Sequence, residues 1–258
     1  VTAVFEFSPL EFVGMWHELR AGGLPDPMTY LPEPVAYDES QRRKREAWQA
    51  ARERSGAEVD ALVEALSRPD IRVILRAIDE RDPANPARSI RVHAVRRGED
   101  AFVVAQRPGA DMESAGGFTV TRHEVLSLGD AVAAVLPDVE AGRRRDFELV
   151  DTDSGHDFTY GRSLVHDDGY GSPTSPNEFL AEPMDLSGTI AVEQGWSRFG
   201  PRGVLRLAMV WRDVIGDGRY AILPGSPLRV APVDRRRLVG LINGQIAEVV
   251  RAIKDDRA

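Results

Sequence analysis

One pattern occurs twice in this chain: several β-like runs closed by an amphipathic helix. The first copy reads as strands over Ile71–Asp79, Ser89–Arg97, Ala101–Gln106 and Gly117–Arg122, then a helix over Leu128–Leu136. The second reads as Gly188–Trp196, Gly203–Asp213, Arg219–Leu223 and Leu228–Ala231, then a helix over Asp234–Ile253. Two like units predict a pseudo-symmetric sheet with helices packed on it. The division expected is one domain over residues 1–258, with an N-terminal half, 1–150, and a C-terminal half, 151–258. Such an architecture offers a broad surface more readily than a reaction centre.

Ahead of the first copy, Ala3–Phe7 reads as a strand, and Ser8-Pro9 as an N-cap with proline at the first helical position. Glu11 completes a capping-box pattern, and Gly22-Gly23 ends the helix. Leu10, Val13, Trp16 and Leu19 recur at helical spacing, which assigns Trp16 to a core. Four prolines in Leu24–Pro34 forbid a regular helix or a central strand there. Gln41–Ser55 reads as a mostly solvated helix, and Val59, Leu62, Val63 and Leu66 as the apolar stripe of a shorter one. Glu80–Ala87, with Pro83 and Pro86, is a polar loop projecting from the sheet edge. Asp138–Ser175 is polar and lacks periodicity. Such a long loop in a compact domain is usually functional or mobile.

Several function classes lose ground on composition. A net charge of −8 opposes nucleic-acid binding, which needs a basic face to displace counterions from phosphates. With no cysteine, the chain forms no disulfide, thiolate nucleophile or thiolate metal site. The segment VTAVFEFSPLEF lacks the basic-then-apolar pattern of a signal peptide. Ala131–Leu136, among the longest apolar runs, falls far short of the roughly 20 residues a membrane span requires. The expectation is a cytoplasmic protein without membrane insertion.

Catalytic chemistry has one foothold. Asp151, Asp153, His156 and Asp157 could form a metal or general-base cluster. As a calcium loop they fail, with His156 where glycine is required and Arg162 where glutamate is required. A zinc reading lacks an identified third ligand. The competing reading is a solvated acidic loop. His17, His93 and His123 belong to no nucleophile or zinc motif, and no phosphate loop, dinucleotide fingerprint or nucleophile elbow is present. A metal-dependent or hydrolytic enzyme using the Asp151–Asp157 loop therefore stands as the alternative, and a scaffold that dimerises through its doubled unit as a third reading. The favoured expectation is no enzyme, no cofactor and no metal.

Aromatic and arginine residues say more. Gly195-Trp196-Ser197-Arg198-Phe199-Gly200 sets two large rings in a glycine-bounded turn. On the next strand Leu205, Leu207, Met209 and Trp211 share one face, and Val204, Arg206, Ala208, Val210 and Arg212 the other. Trp and Arg dominate binding patches, although a Trp on a strand of a two-layer fold is usually core. Arg206 and Arg212 beside apolar groups demand partners wherever they are buried.

The chain carries, in this order, Trp16-His17-Glu18-Leu19, Gly23-Leu24-Pro25-Asp26-Pro27, Leu66-Ser67-Arg68-Pro69, Gly216-Asp217-Gly218-Arg219-Tyr220 and Val230-Ala231-Pro232-Val233-Asp234. Those motifs in that order resemble the EspG family of actinobacterial type VII (ESX) secretion systems. The resemblance implies an α/β (α+β) fold, with a central, largely antiparallel sheet flanked by helices in quasi-two-fold halves. It also implies a cytosolic chaperone that binds the PPE subunit of a PE–PPE heterodimer and shields its apolar helical tip, itself monomeric or weakly dimeric when client-free. By position, the family's contact regions fall on the loop carrying Asp82 and Asn85, and on Glu193, Trp196, Arg198, Phe199, Arg206 and Trp211. The Asp138–Ser175 insert is less like the family's helical content.

Overall fold

The computed structural model describes residues 3–19, 22–149 and 176–257. In chain order these form β1 (Ala3–Phe7), α1 (Pro9–Glu18), α2 (Tyr37–Ser55), α3 (Glu58–Ser67), β2 (Ile71–Asp79), β3 (Ile90–Arg97), β4 (Asp100–Pro108), β5 (Ala115–His123) and α4 (Leu128–Ala133). There follow β6 (Phe147–Leu149), α5 (Pro176–Ala181), β7 (Met184–Gln194), β8 (Arg206–Val214), β9 (Gly218–Leu223), β10 (Leu228–Pro232) and α6 (Arg235–Arg257). All ten strands join one sheet in the order β1-β5-β4-β3-β2-β7-β8-β9-β10-β6. Every neighbouring pair is antiparallel.

That order is mirrored about the β2–β7 pair: a four-strand meander runs outward on each side, and each is closed by a strand that precedes it in the chain. The central pairing is long and regular, from Ile71 opposite Gln194 to Asp79 opposite Leu186. β6, in the stretch without periodicity, pairs with β10. The sheet thus places residues 147–149 with the second meander, whereas a cut at 150 leaves them with the first. Because β2 is central, the loop after it leaves the strand ends instead of a lateral edge.

Strand alternation divides the core between the faces. On one face Ile71, Val73 and Leu75 of β2, Ile190 and Val192 of β7, and Met209 and Trp211 of β8 are buried beneath α4 and α6. On the other face the first meander is covered by α1, α2 and α3, which meet Val95, Phe102, Val104, Phe118 and Val120. Ser8 caps α1 as its sequence foretells: its backbone N–H donates to Glu11 Oε2 at 2.7 Å, and its hydroxyl accepts from the Glu11 N–H at 3.3 Å. Trp16 is buried and donates to the Gly23 carbonyl at 2.6 Å. α2 is largely exposed, burying only Trp48 and Ala51. At the far end of this second face a smaller cluster of Leu149, Phe179, Val214, Tyr220 and Val230 closes the second meander. Among the described residues no helix is long and apolar enough to cross a membrane.

Candidate functional site

Between the two covered regions of the second face lies a strip of sheet with no helix over it, open along β8 and nearly closed at Ile74 and Ala191, which are 5% and 2% exposed. It carries Arg72, Ile74 and Arg76 from β2, Ser187, Thr189, Ala191 and Glu193 from β7, and Arg206, Ala208 and Val210 from β8, in one continuous register. Thr189, Arg206, Ala208 and Val210 are exposed, Val210 to 44%. Their neighbours in sequence, Ile190, Met209 and Trp211, are almost fully buried on the opposite face. Small side chains (Ser187, Thr189, Ala191 and Ala208) alternate there with arginines and aliphatic groups.

One wall is the proline-rich segment. Asp26 pairs with Arg76 through its carboxylate, and its carbonyl accepts from His93 Nδ1 at 2.8 Å. Burial pushes the His93 imidazole down to about 4, which keeps it neutral and donating. Thr29 is fixed by Gln106 and Arg91. The opposite wall is α5, held by Arg212. That guanidinium is buried, donates to the carbonyls of Phe179 at 2.9 Å, Leu180 at 3.1 Å and Glu182 at 3.4 Å, and lies 4.9 Å from the Phe179 ring. The partners that a buried arginine requires are thus the carbonyls at the end of a short helix.

The ends of the strip are distinct. At one end the β2–β3 loop is anchored from below: the Asp79 carboxylate accepts from the Arg81 N–H at 2.9 Å and pairs with Arg88 at 3.2 Å. Asp185 pairs with Arg88 and Arg81, and the hydrogen bond from Arg88 holds its carboxyl below the usual range. Asp82 projects into solvent, while Asn85 caps a short turn by accepting from the Ala87 N–H at 3.1 Å. At the other end the β7–β8 turn exposes Trp196 to 69% and Phe199 to 68%, with Arg198 stacked 4.9 Å from the Phe199 ring. Beside it is a cavity of about 410 Å³ lined by Arg68, Pro69, Arg72, Trp196, Ile253 and Asp256, among others. Hydrogen bonds from Ser197 and Gln194 hold the Asp256 carboxyl below the usual carboxylate range.

The residues anticipated from sequence therefore form two groups and one exception. Glu193, Arg206, Trp196, Arg198 and Phe199 gather at one end of the strip. Asp82 and Asn85 stand at the other, roughly 25 Å away along the strands. Trp211 is the correction: it is 0% exposed, on the opposite face, beneath Arg219. Strand alternation placed it correctly on the face away from Arg206, but that face is the covered one. The strip also includes Arg72, Ile74 and Thr189, which sequence reasoning did not single out. For Arg72 and Ile74 the signal was the imperfect alternation of β2, with arginines interrupting an otherwise apolar strand.

Among the described residues no group of three or more histidine or acidic side chains could hold a metal ion. His17 is exposed, and His123 bonds Thr121 Oγ1 at 2.8 Å. Asp151, Asp153, His156 and Asp157 lie outside the described residues.

Comparison with known proteins bears on this architecture. The model of the EspG family matches residues 8–244. Among solved structures, the fold is similar to that of EspG5, the type VII secretion system chaperone of Mycobacterium tuberculosis, solved in complex with a PE25–PPE41 dimer. The TM-score is 0.53 at 11% identity, over 98% of this chain and 96% of that one. No curated protein matches the sequence.

Proposed function

Since the chain belongs to the EspG family, we propose that it is a cytosolic type VII secretion chaperone that binds the PPE subunit of a PE–PPE heterodimer and covers its apolar helical tip before export. The observation that carries this reading is the helix-free strip of β2, β7 and β8. Three strands span two inter-strand spacings, about 10 Å, which is the diameter of an α-helix with its side chains. Ala208 and Val210 of β8 supply exposed apolar contact, and the walls and turns supply a polar and aromatic rim.

An exposed apolar helix tip is an aggregation liability, and a groove of this shape relieves it by burial alone. Shielding consumes no nucleotide, in keeping with a sequence that has no phosphate loop. A specific complex of this kind buries roughly 1,200–2,000 Å² in total. The β2–β3 loop with Asp82 and Asn85, and the turn with Trp196, Arg198 and Phe199, lie at opposite ends of the strip and discriminate among clients by fit and repulsion. Without a client the protein is a monomer or weak homodimer.

Co-expression with each PE–PPE pair of the source genome tests the reading. The expected result is one pair that is recovered soluble in a three-part complex, with a light-scattering mass equal to the sum of the three chains. Failure with every pair overturns it. Metal analysis of the purified chain tests the enzymatic alternative, which requires a stoichiometric divalent ion.

A further inference from the structure

The end of the strip nearest the β7–β8 turn carries an unbalanced charge. Glu193 lies between two arginines, 3.6 Å from Arg72 and 3.8 Å from Arg206. Both separations exceed hydrogen-bond length, and among the described residues neither guanidinium has another ionic or hydrogen-bonding partner. Arg76, further along β2, is already neutralised by Asp26. The Glu193 side chain is only 15% exposed, while those of Arg72 and Arg206 are 30% and 57% exposed. One sunken carboxylate thus holds two cations whose donor forks still face solvent.

Water now balances the excess positive charge, and any chain seated on the strip removes that water. A buried guanidinium without a counter-ion is costly, and an arginine fork is shaped to take a carboxylate through two parallel bonds. We propose that Arg72 and Arg206 read an acidic side chain on the docking tip, with Glu193 as the internal anion that keeps the two forks aligned until that side chain arrives. This inference rests on the chaperone reading and deepens it by naming the chemistry of the recognised residue: an aspartate or glutamate flanked by apolar residues. Arg72 also lines the cavity beside Trp196. An apolar side chain entering that cavity brings its neighbours within reach of the pair. The inference gives a net-acidic protein a local positive spot where specificity is needed, because a tip presenting lysine or arginine there meets like charge.

The test uses the PE–PPE pair that co-purifies with the wild-type chain. Titration of that pair against Arg206→Glu is expected to show binding weakened by roughly tenfold or more, with only a small fall in melting temperature from the like charge set opposite Glu193. Arg72→Glu should weaken binding similarly, and raising salt should weaken wild-type binding more steeply than that of Arg206→Gln. Changing the responsible client acid to lysine should abolish binding to wild type and restore it to Arg206→Glu. Unchanged affinity of Arg206→Glu overturns the inference while leaving the chaperone reading standing. Tighter binding of Arg206→Glu overturns it too, since it assigns a basic contact to Glu193. Absence of any wild-type complex removes both.

Discussion

Trp211 and Arg206 share a strand, yet their environments call for opposite behaviour. The Trp211 ring is fully buried with the Arg219 guanidinium 4.9 Å from its centre, and Arg219 is itself clamped by Asp213 at 2.7 and 2.9 Å. Trp211→Ala opens a cavity and strips one face from that buried cation. Chemical denaturation is expected to show a loss of roughly 3–5 kcal/mol. Arg206→Ala removes an exposed side chain with one loose ion pair, so its stability should stay within about 0.5 kcal/mol of wild type. His93 sets a pH dependence. Its folded value of about 4 lies below the ordinary 6.5, so the unfolded chain binds the proton first as pH falls. This contribution to stability is complete above pH 6.5 and is lost as pH drops toward 4, to a total of roughly 3 kcal/mol. Denaturation midpoints measured between these limits should slope for wild type and flatten in His93→Gln. The residue-level facts legible in the sequence were those with local causes. Ser8 and Glu11 cap their helix by spacing alone, whereas the fate of Trp211 depends on α6, which arrives more than twenty residues later.

At the level of elements, contact between α1 and α2 turns on one small residue. A Cβ at Gly14 would stand 2.2 Å from the Lys44 carbonyl oxygen and 3.0 Å from the Trp48 Cβ. Gly14→Ala therefore forces the two helices apart despite alanine's better helix propensity. A loss of roughly 1–3 kcal/mol is expected, read as a lower urea midpoint. The strands of both meanders were visible as alternating runs bounded by turns, and β2 begins and ends where its pattern does. The start of β8 was misread by three residues because Pro201–Gly203 closes a short helical turn before the strand begins. β6 escaped notice for a physical reason: three residues offer no period, and the strand exists only because β10 supplies its hydrogen bonds.

For the molecule as a whole, the doubled pattern foretold a sheet in two like halves, but not which strands adjoin. Alternation reports the faces of a strand and is silent about its neighbours. Hence nothing local reveals that β1 crosses to the far side of the first meander, or that β2 and β7 join the halves. The candidate site was half legible for the same reason. The polar–apolar division of β8 could be read directly, but the helix-free strip exists only because α1–α3 and α5 cover the flanks and stop short of the middle.

The outermost strands of the sheet are β1, with five residues, and β6, with three. Long, flat margins invite strand-by-strand polymerisation, and stubby ones give an incoming backbone little to zip against. For the shielding role proposed above, a protein that itself seeded fibres would be unfit. Among the described residues short segments stand at both margins, which leaves the broad flank of the sheet for encounters with other chains.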